Sequence, residues 1–420
     1  MKKPAPLICL LTPGHLASTP RLLKEADALI DAGYRVHVVS GRHYTPAEPL
    51  DAGVLATARW ASTQVDFARG AAVFGRKVLR RISRSLVSRA PFGQVTLAAR
   101  THHAESLHFG AVAARIPADF YLGHCLAALP AVAYAAEKRG VPYGFDIEDY
   151  HDGETLDSMG DRAEMTARRI LQSTLLPGCA HLTAAAPLIA AQYVQHYGVH
   201  PFCVLNVFPR SEGPSAPVDP GPITERRPAR LYWFSQTIGK GRGLEAVIAA
   251  MARMRTPVEL HIRGIQKPGY GSCLQGLATE LGLKYPIQFL SPGPAAEMAR
   301  LAANADLGLS TEETLPLNRD VCLTNKIFTY LLAGIPQLLS ATVAQSAIAP
   351  ELGNAGLLGD LDRPDEIARK LDVFFGDPTR VAMARRTAWE LGHGKYCWDT
   401  EKDKFLASMR GIVPLKPPAT

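Results

Sequence analysis

The fold is decided by residues 6–40, PLICLLTPGHLASTPRLLKEADALIDAGYRVHVVS. The run 6–11 is continuously apolar and of strand length, and Thr12-Pro13-Gly14-His15 turns it. Ser18-Thr19-Pro20 then caps a helix with proline in its first turn. Leu22, Leu23, Ala26, Leu29 and Ile30 share one helical face until Gly33 ends it, and 34–40 reads as a second strand. A βαβ unit this short implies parallel strands and a right-handed crossover. The first residues, MKKPAPLICLLTPG, begin like a secretory leader, but the apolar run stops at Thr12-Pro13 with no small-residue cleavage site, so a first strand is expected instead.

The same grammar recurs after a less regular stretch, with strand 118–123, helix 127–138 and strand 141–146. Helix 162–176, strand 181–184, helix 187–197 and strand 202–206 follow. Residues 209–228, PRSEGPSAPVDPGPITERRP, are dense in proline, glycine and charge and carry no periodicity, so an exposed linker is expected. Alternation restarts at Arg230, with strands 231–235, 258–263, 287–290, 306–310 and 335–339. The expected organisation is an α/β domain 1–208, a linker 209–229, a second α/β domain 230–392, and a helical tail 393–420 that packs back on the first domain. A ligand is expected between the two halves, near the carboxyl ends of their strands.

Composition narrows the function. A chain of 420 residues with 47% hydrophobic and 20% charged residues is globular and long enough for two or three domains, which excludes a peptide hormone or a disulfide miniprotein. Lys+Arg 46 against Asp+Glu 39 gives +7, a bias toward anionic ligands or membrane surfaces. Nucleic acid is not an expected partner, because 7% aromatic residues is too few for extensive base stacking. Seven dispersed cysteines, without CxxC or a Cys/His cluster, read as buried reduced thiols of a cytoplasmic protein. No stretch is long enough to span a bilayer, so any membrane contact is peripheral.

Three turns could carry chemistry. Gly14 lies between a strand and a helix amino terminus, where backbone can approach an anion, although a glycine there also serves the turn alone. Gly239-Lys240-Gly241-Arg242-Gly243 opens the first helix of the second half and joins glycines to two cations, which suits a diphosphate. Its spacing is neither GxGxxG nor a Walker A motif. Arg263-Gly264 places a further cation at the next strand end. Thr324 caps a helix beginning Asn325-Lys326 and closed by Gly334, and an amide with an ammonium at a helix amino terminus favours phosphate oxygens. In the first half, Asp146-Ile147-Glu148-Asp149-Tyr150-His151 offers carboxylates and an imidazole for acceptor binding or acid/base work, or for a metal.

The segment TNKIFTYLLAGIP, residues 324–336, resembles the NK-x-x-E-Y-x-x-x-G-x-P segment of family 4 type retaining glycosyltransferases of the GT-B fold, especially those of bacterial polysaccharide assembly. The opening βαβ, the Asn206-Val207-Phe208-Pro209 segment before the linker and the tail motif KYCWDTE resemble parts of the same family. The resemblance implies two Rossmann-like domains facing a central cleft, with the second binding a nucleotide-diphosphate sugar. Gly14, Arg242, Gly243, Arg263, Asn325 and Lys326 then inherit donor-binding roles. His124 resembles a histidine of the family's cleft, and His124, Glu148 and Glu313 are the expected catalytic residues. The family's paired glutamates are absent, their places being near Val321 and at Thr329, so Glu312 or Glu313 is left to contact the donor. The implied activity is hexosyl transfer, with retention, to a glycan or lipid-linked glycan acceptor, and neither a metal nor another cofactor is expected.

Phe74, Val78, Ile82 and Leu86 repeat every fourth residue among Arg76, Lys77, Arg80, Arg81, Arg84 and Arg89, and no acid occurs in 67–104. Such a basic amphipathic helix suits an anionic membrane on the cytoplasmic side, or simply a solvated domain surface. Two rival readings share the architecture: a non-hydrolysing nucleotide-sugar epimerase, which would need no acceptor, and a non-catalytic sugar-nucleotide-binding scaffold.

Overall fold

The computed structural model describes residues 4–89, 93–155 and 161–415. Met1–Lys3, the start of the leader-like run, and 416–420, the end of the expected tail, lie outside the described residues. Two compact units are present, residues 1–205 with 402–420, and residues 206–401. Each is built on one parallel sheet with helices between its strands.

The first sheet contains β1 (Leu7–Thr12), β2 (Arg35–Arg42), β3 (Ala61–Asp66), β4 (Phe120–His124), β5 (Tyr143–Ile147), β6 (His181–Ala184) and β7 (Phe202–Cys203). Their spatial order is β3-β2-β1-β4-β5-β6-β7. Ile8, Cys9, Leu10 and Leu11 are wholly buried, which is why this central strand reads as an unbroken apolar run. Ala128, Ala131, Val132 and Ala135, from the turn after β4 and helix Leu129–Arg139, pack with Cys9, Leu11 and Val39 into its core. The strand order reverses direction between β1 and β4, and the carboxyl ends of those strands are where an open α/β sheet binds ligands.

The second sheet contains β8 (Ala229–Ile238), β9 (Val258–Gln266), β10 (Gln288–Leu290), β11 (Leu307–Ser310), β12 (Gln337–Ser340) and β13 (Gly356–Gly359), ordered β10-β9-β8-β11-β12-β13. Its reversal lies between β8 and β11. Helices Leu244–Met251 and Pro364–Phe375 cover it with Leu244, Val247, Ile248, Ile367 and Leu371, all buried. Each such side chain contributes about 1.5–3 kcal/mol by leaving water.

Residues 209–229, expected as an exposed linker, are grouped with the second unit. Arg385 donates to the Val218 carbonyl at 2.9 Å, and Gly213 sits so close to Leu332 that a Cβ there would lie 2.9 Å from its Cδ1. The last helix among the described residues is Trp398–Ile412, and from Lys402 onward it is grouped with the first unit. There Ser408 meets the His181 ring at 2.8 Å and Tyr34 donates to the Val413 carbonyl at 2.7 Å. All seven cysteines are free thiols, but only Cys9 and Cys397 are buried and Cys273 is exposed, so burial is not their common property. Among the described residues no helix is long and apolar enough to cross a membrane.

Candidate functional sites

In the first unit, strand register builds a polar row. His124 ends β4 beside Asp146 on β5, and Asp146 is beside Thr183 on β6. Side chains in register on neighbouring parallel strands point to the same face. Helix Pro20–Asp31, which follows the β1 turn, adds Arg21 and Glu25 one turn apart. Arg21 grips both Asp146 oxygens, Nε at 2.6 Å and Nη2 at 2.8 Å, and its Nη1 donates to the Val204 carbonyl at 2.8 Å. Thr183 donates to Asp146 at 2.5 Å. The His124 ring faces three carboxylates, with Nε2 at 3.2 Å from Glu25 and Nδ1 at 3.4 and 3.6 Å from Asp146 and Glu148. Neither ring nitrogen is aligned for a hydrogen bond, so these are ion-pair contacts.

The charges in this row are interdependent. Burial disfavours a charged imidazole at His124, yet Glu25, Asp146 and Glu148 outweigh it and raise the group well above its usual value. Burial would raise the Asp146 carboxyl, but Arg21 and His124 hold it far below the ordinary carboxylate range. Glu25 is pushed up, chiefly by burial, with His124 opposing. Two cations therefore face three carboxylates, and of Glu25 and Asp146 it is Glu25 that takes up a proton more readily. Ligand atoms of His124, Asp146 and Glu148 lie within 4.8 Å of one another, a spacing that could hold a metal ion. Arg21 already spans Asp146, so the guanidinium supplies much of the positive charge that a metal would bring.

Cys125, directly after His124, has φ 64°, a left-handed conformation that is strained for a residue with a side chain. That turn ends β4 and fixes where His124 sits. Gly14 donates from its backbone to Thr12 Oγ1 at 3.2 Å, and a Cβ there would meet nothing nearer than 3.5 Å. Packing therefore does not demand the glycine. The same loop is pinned by Asp51, which accepts from His15 Nδ1 at 2.6 Å and from the Ala17 amide at 2.9 Å. His15 Nε2 in turn accepts from the amides of His43 and Tyr44, which assigns the ring proton to Nδ1. His151 belongs elsewhere, with Nδ1 at 2.6 Å from Glu154.

In the second unit the reversal between β8 and β11 holds a cluster of cations. Gly243, at φ 66°, caps helix Leu244–Met251 and fixes the turn that carries Arg242. Glu312 follows β11 and is 1% exposed. It accepts from Arg242 Nη1 at 2.7 Å and from Lys326 Nζ at 2.6 Å. Its own amide donates to Ser340 Oγ at 2.9 Å, and Thr311 donates to the Arg242 carbonyl at 2.7 Å, so the turn and the strand end are tied together. Lys326 also lies 5.5 Å from the centre of the Trp233 ring. Arg319 donates to the Gly241 carbonyl in the same turn.

One buried carboxylate thus pairs with two cations, and a third, Arg319, is held beside them by the Gly241 carbonyl. Burial would raise Glu312, but Lys326 and Arg242 hold it below its usual value. Arg319 is lowered, first by burial and then by the like charge of Arg242. Cations that repel one another at a strand reversal are suited to an anion.

Of the residues expected to bind a donor, Arg242, Gly243 and Lys326 come together here, and Asn325 opens the same helix, Asn325–Ala333, as Lys326. Arg263 is tied instead to the Tyr232 hydroxyl at 2.7 Å and the Ser291 carbonyl at 2.5 Å. Gly14 lies in the other unit. Glu313 is exposed, and the carboxylate that touches the cations is its neighbour Glu312. Val321 and Thr329 are 4% and 2% exposed, and Thr329 donates back to the Asn325 carbonyl at 2.9 Å. Sequence reasoning missed Arg21, Glu25 and Arg319. The i, i+4 arginine–glutamate pair within an apolar helix face was the available signal for the first two.

No family model and no curated protein matches the chain. Solved structures do. The chain is similar to Anabaena HepE in complex with UDP and glucose, at 16% identity and TM-score 0.68, over 97% of this chain and 100% of that one. It is similar to the sucrose-phosphate synthase of Thermosynechococcus elongatus, at 11% identity and TM-score 0.68, over 97% and 99% of the two chains. A third likeness is to the lipopolysaccharide outer core galactosyltransferase WaaB, at 12% identity and TM-score 0.61, over 96% and 99%. Likeness at such identities is a likeness of fold, and with two parallel sheets each reversing at its centre, the chain has the two-domain α/β architecture named GT-B.

Proposed function

We propose that this protein is a glycosyltransferase that takes a sugar from a nucleotide-diphosphate donor and passes it to a hydroxyl of a glycan, or lipid-linked glycan, in cell-surface polysaccharide assembly. The observation that carries the reading is the excess of Arg242, Lys326 and Arg319 over the single buried carboxylate Glu312 at the second sheet's reversal. In glycosyl transfer the diphosphate gains negative charge as the sugar leaves with oxocarbenium character. Fixed cations and the amides at the start of helix Leu244–Met251 stabilise that growing charge without reorganising. Anabaena HepE, solved with UDP-glucose, and the galactosyltransferase WaaB share the fold and lend the reading support. In this reading the first unit binds the acceptor, the part-exposed Glu148 serves the acceptor hydroxyl with the buried His124 positioning it, and the transferred sugar is a hexose with retained configuration.

The buried, non-acidic side chains of Val321 and Thr329 favour a second reading, a protein that binds sugar nucleotide without turnover. One experiment separates them. Nucleotide sugars of different bases are screened by thermal shift, and release of the nucleoside diphosphate is then assayed with the ligand that stabilises. A ligand at 100 times its Kd stabilises by about 2.7 kcal/mol, a shift easily read. We expect at least one nucleotide sugar to raise Tm, Arg242→Gln to cut the rise by about half or more at the same ligand concentration, and wild type to release nucleoside diphosphate. Stabilisation without release favours the binding protein, and no stabilisation by any nucleotide sugar overturns both readings.

A further inference from the structure

Helix Ala71–Leu86 is inside out. In a surface helix the apolar stripe ordinarily faces the core and the charges face water. Here the arginines spaced by four turn inward: Arg76 pairs with Glu105, Arg80 donates to the Thr101 carbonyl at 2.9 Å, and Arg84 pairs with Asp161. Val73, Ser83 and Val87 complete that buried face. The stripe left outside is Phe74, Val78, Ile82 and Leu86, at 73%, 44%, 50% and 45% exposure, with Leu79 beside it at 43%. Lys77 and Arg81, also exposed, run along its edge one turn apart. Exposed large side chains in one contiguous row are costly in water and mark a surface that is covered in use.

We infer that this helix docks the protein on an anionic membrane leaflet, its apolar stripe entering the headgroup and acyl boundary while Lys77 and Arg81 meet lipid phosphates. Charge selects that occupant. The whole segment 67–104 contains no carboxylate, and the outward cations remain available because the two carboxylates that meet the helix from elsewhere, Glu105 and Asp161, are paired with the inward Arg76 and Arg84. The inward arginines also make the orientation rigid. Their guanidinium contacts hold the helix by its polar face, so the apolar face cannot roll in. The inference is independent of which sugar or acceptor is used.

The test is flotation of the full-length protein with large vesicles of neutral phosphatidylcholine, with and without phosphatidylglycerol, in the absence of any nucleotide. Binding is expected to anionic vesicles and to fall with salt. Removing Lys77 or Arg81 as alanine should weaken partitioning about fivefold each. The double variant Phe74→Ser, Ile82→Ser should weaken it more than about tenfold at low salt, because several buried apolar groups are lost together. Both residues are solvent-exposed, so an unchanged Tm is expected and separates lost docking from lost folding. Failure of wild type to float with anionic vesicles overturns the inference, as does a double variant that floats equally well. So does a dimer in sedimentation velocity that the double variant dissolves while no vesicle binding is seen, since a second copy would then be the occupant.

Discussion

His124 and Asp146 hold opposite charges with both side chains wholly buried, and each helps to keep the other charged. Removing one partner of a buried pair leaves an uncompensated charge, at about 3–5 kcal/mol. Asp146→Asn, which strands Arg21 and His124, is expected to lose that much in denaturant unfolding. The pH dependence follows from the shifts. His124 is raised in the folded state, so its contribution is complete below its ordinary value of about 6.5 and is lost as pH rises through the folded value. Asp146 is depressed, so its contribution is complete above about 3.9 and is lost as pH falls through the folded value. The stability gap between wild type and His124→Gln should therefore be widest near about pH 6 and shrink toward alkaline pH. A gap that widens on the alkaline side would mean the ring is neutral in the fold.

At the scale of elements, the second sheet's first two strands carry a sensitive stretch of backbone. β8 and β9 slip register between Phe234 and Thr237, and opposite the slip Gly264 takes φ 147°. A Cβ at Gly264 would lie 2.2 Å from the Ser235 carbonyl oxygen, a backbone atom that cannot step aside. Gly264→Ala is expected to cost roughly 2 kcal/mol or more, from backbone strain and this clash together, read as a fall in denaturation midpoint. The strands that sequence makes plain are those buried on both faces. Strand 181–184 and helix 187–197 coincide with the structure because Pro177-Gly178, Pro187 and Gly198 punctuate their ends. β3 escaped because ASTQVD lies at the sheet edge, with most of its side chains partly or fully exposed, and so needs no apolar alternation. β13, Gly356–Gly359, is short and glycine-bounded, and the helices Gln94–His102 and Ser106–Ala113 lack cap signals. For helix Ala71–Leu86 the periodicity gave both faces correctly, but sequence carries no mark of which one faces out. That is settled by Glu105 and Asp161, distant partners for its arginines. Glu312 was preferred over Glu313 by the fold for a similar reason: only one of two adjacent carboxylates follows β11 into the interior.

Across the whole molecule, each unit places its polar groups at the reversal of its own parallel sheet, a carboxylate-rich row in the first and a cation-rich cluster in the second. This division of charge follows from chain order as much as from residue choice, because a reversal leaves two strand ends without a covering crossover between them. The claim that the second unit's cations receive a diphosphate is tested most directly by calorimetric titration of a nucleoside diphosphate, across the common bases, into wild type and Arg242→Gln. Arg242 is the cation to replace because its side chain is one-third exposed, whereas Lys326 is buried against Glu312. Saturable one-to-one binding that weakens by at least about tenfold in the variant, the loss of one charge-assisted contact, is the predicted result. Binding of equal strength in both proteins, or none for any base, would contradict it.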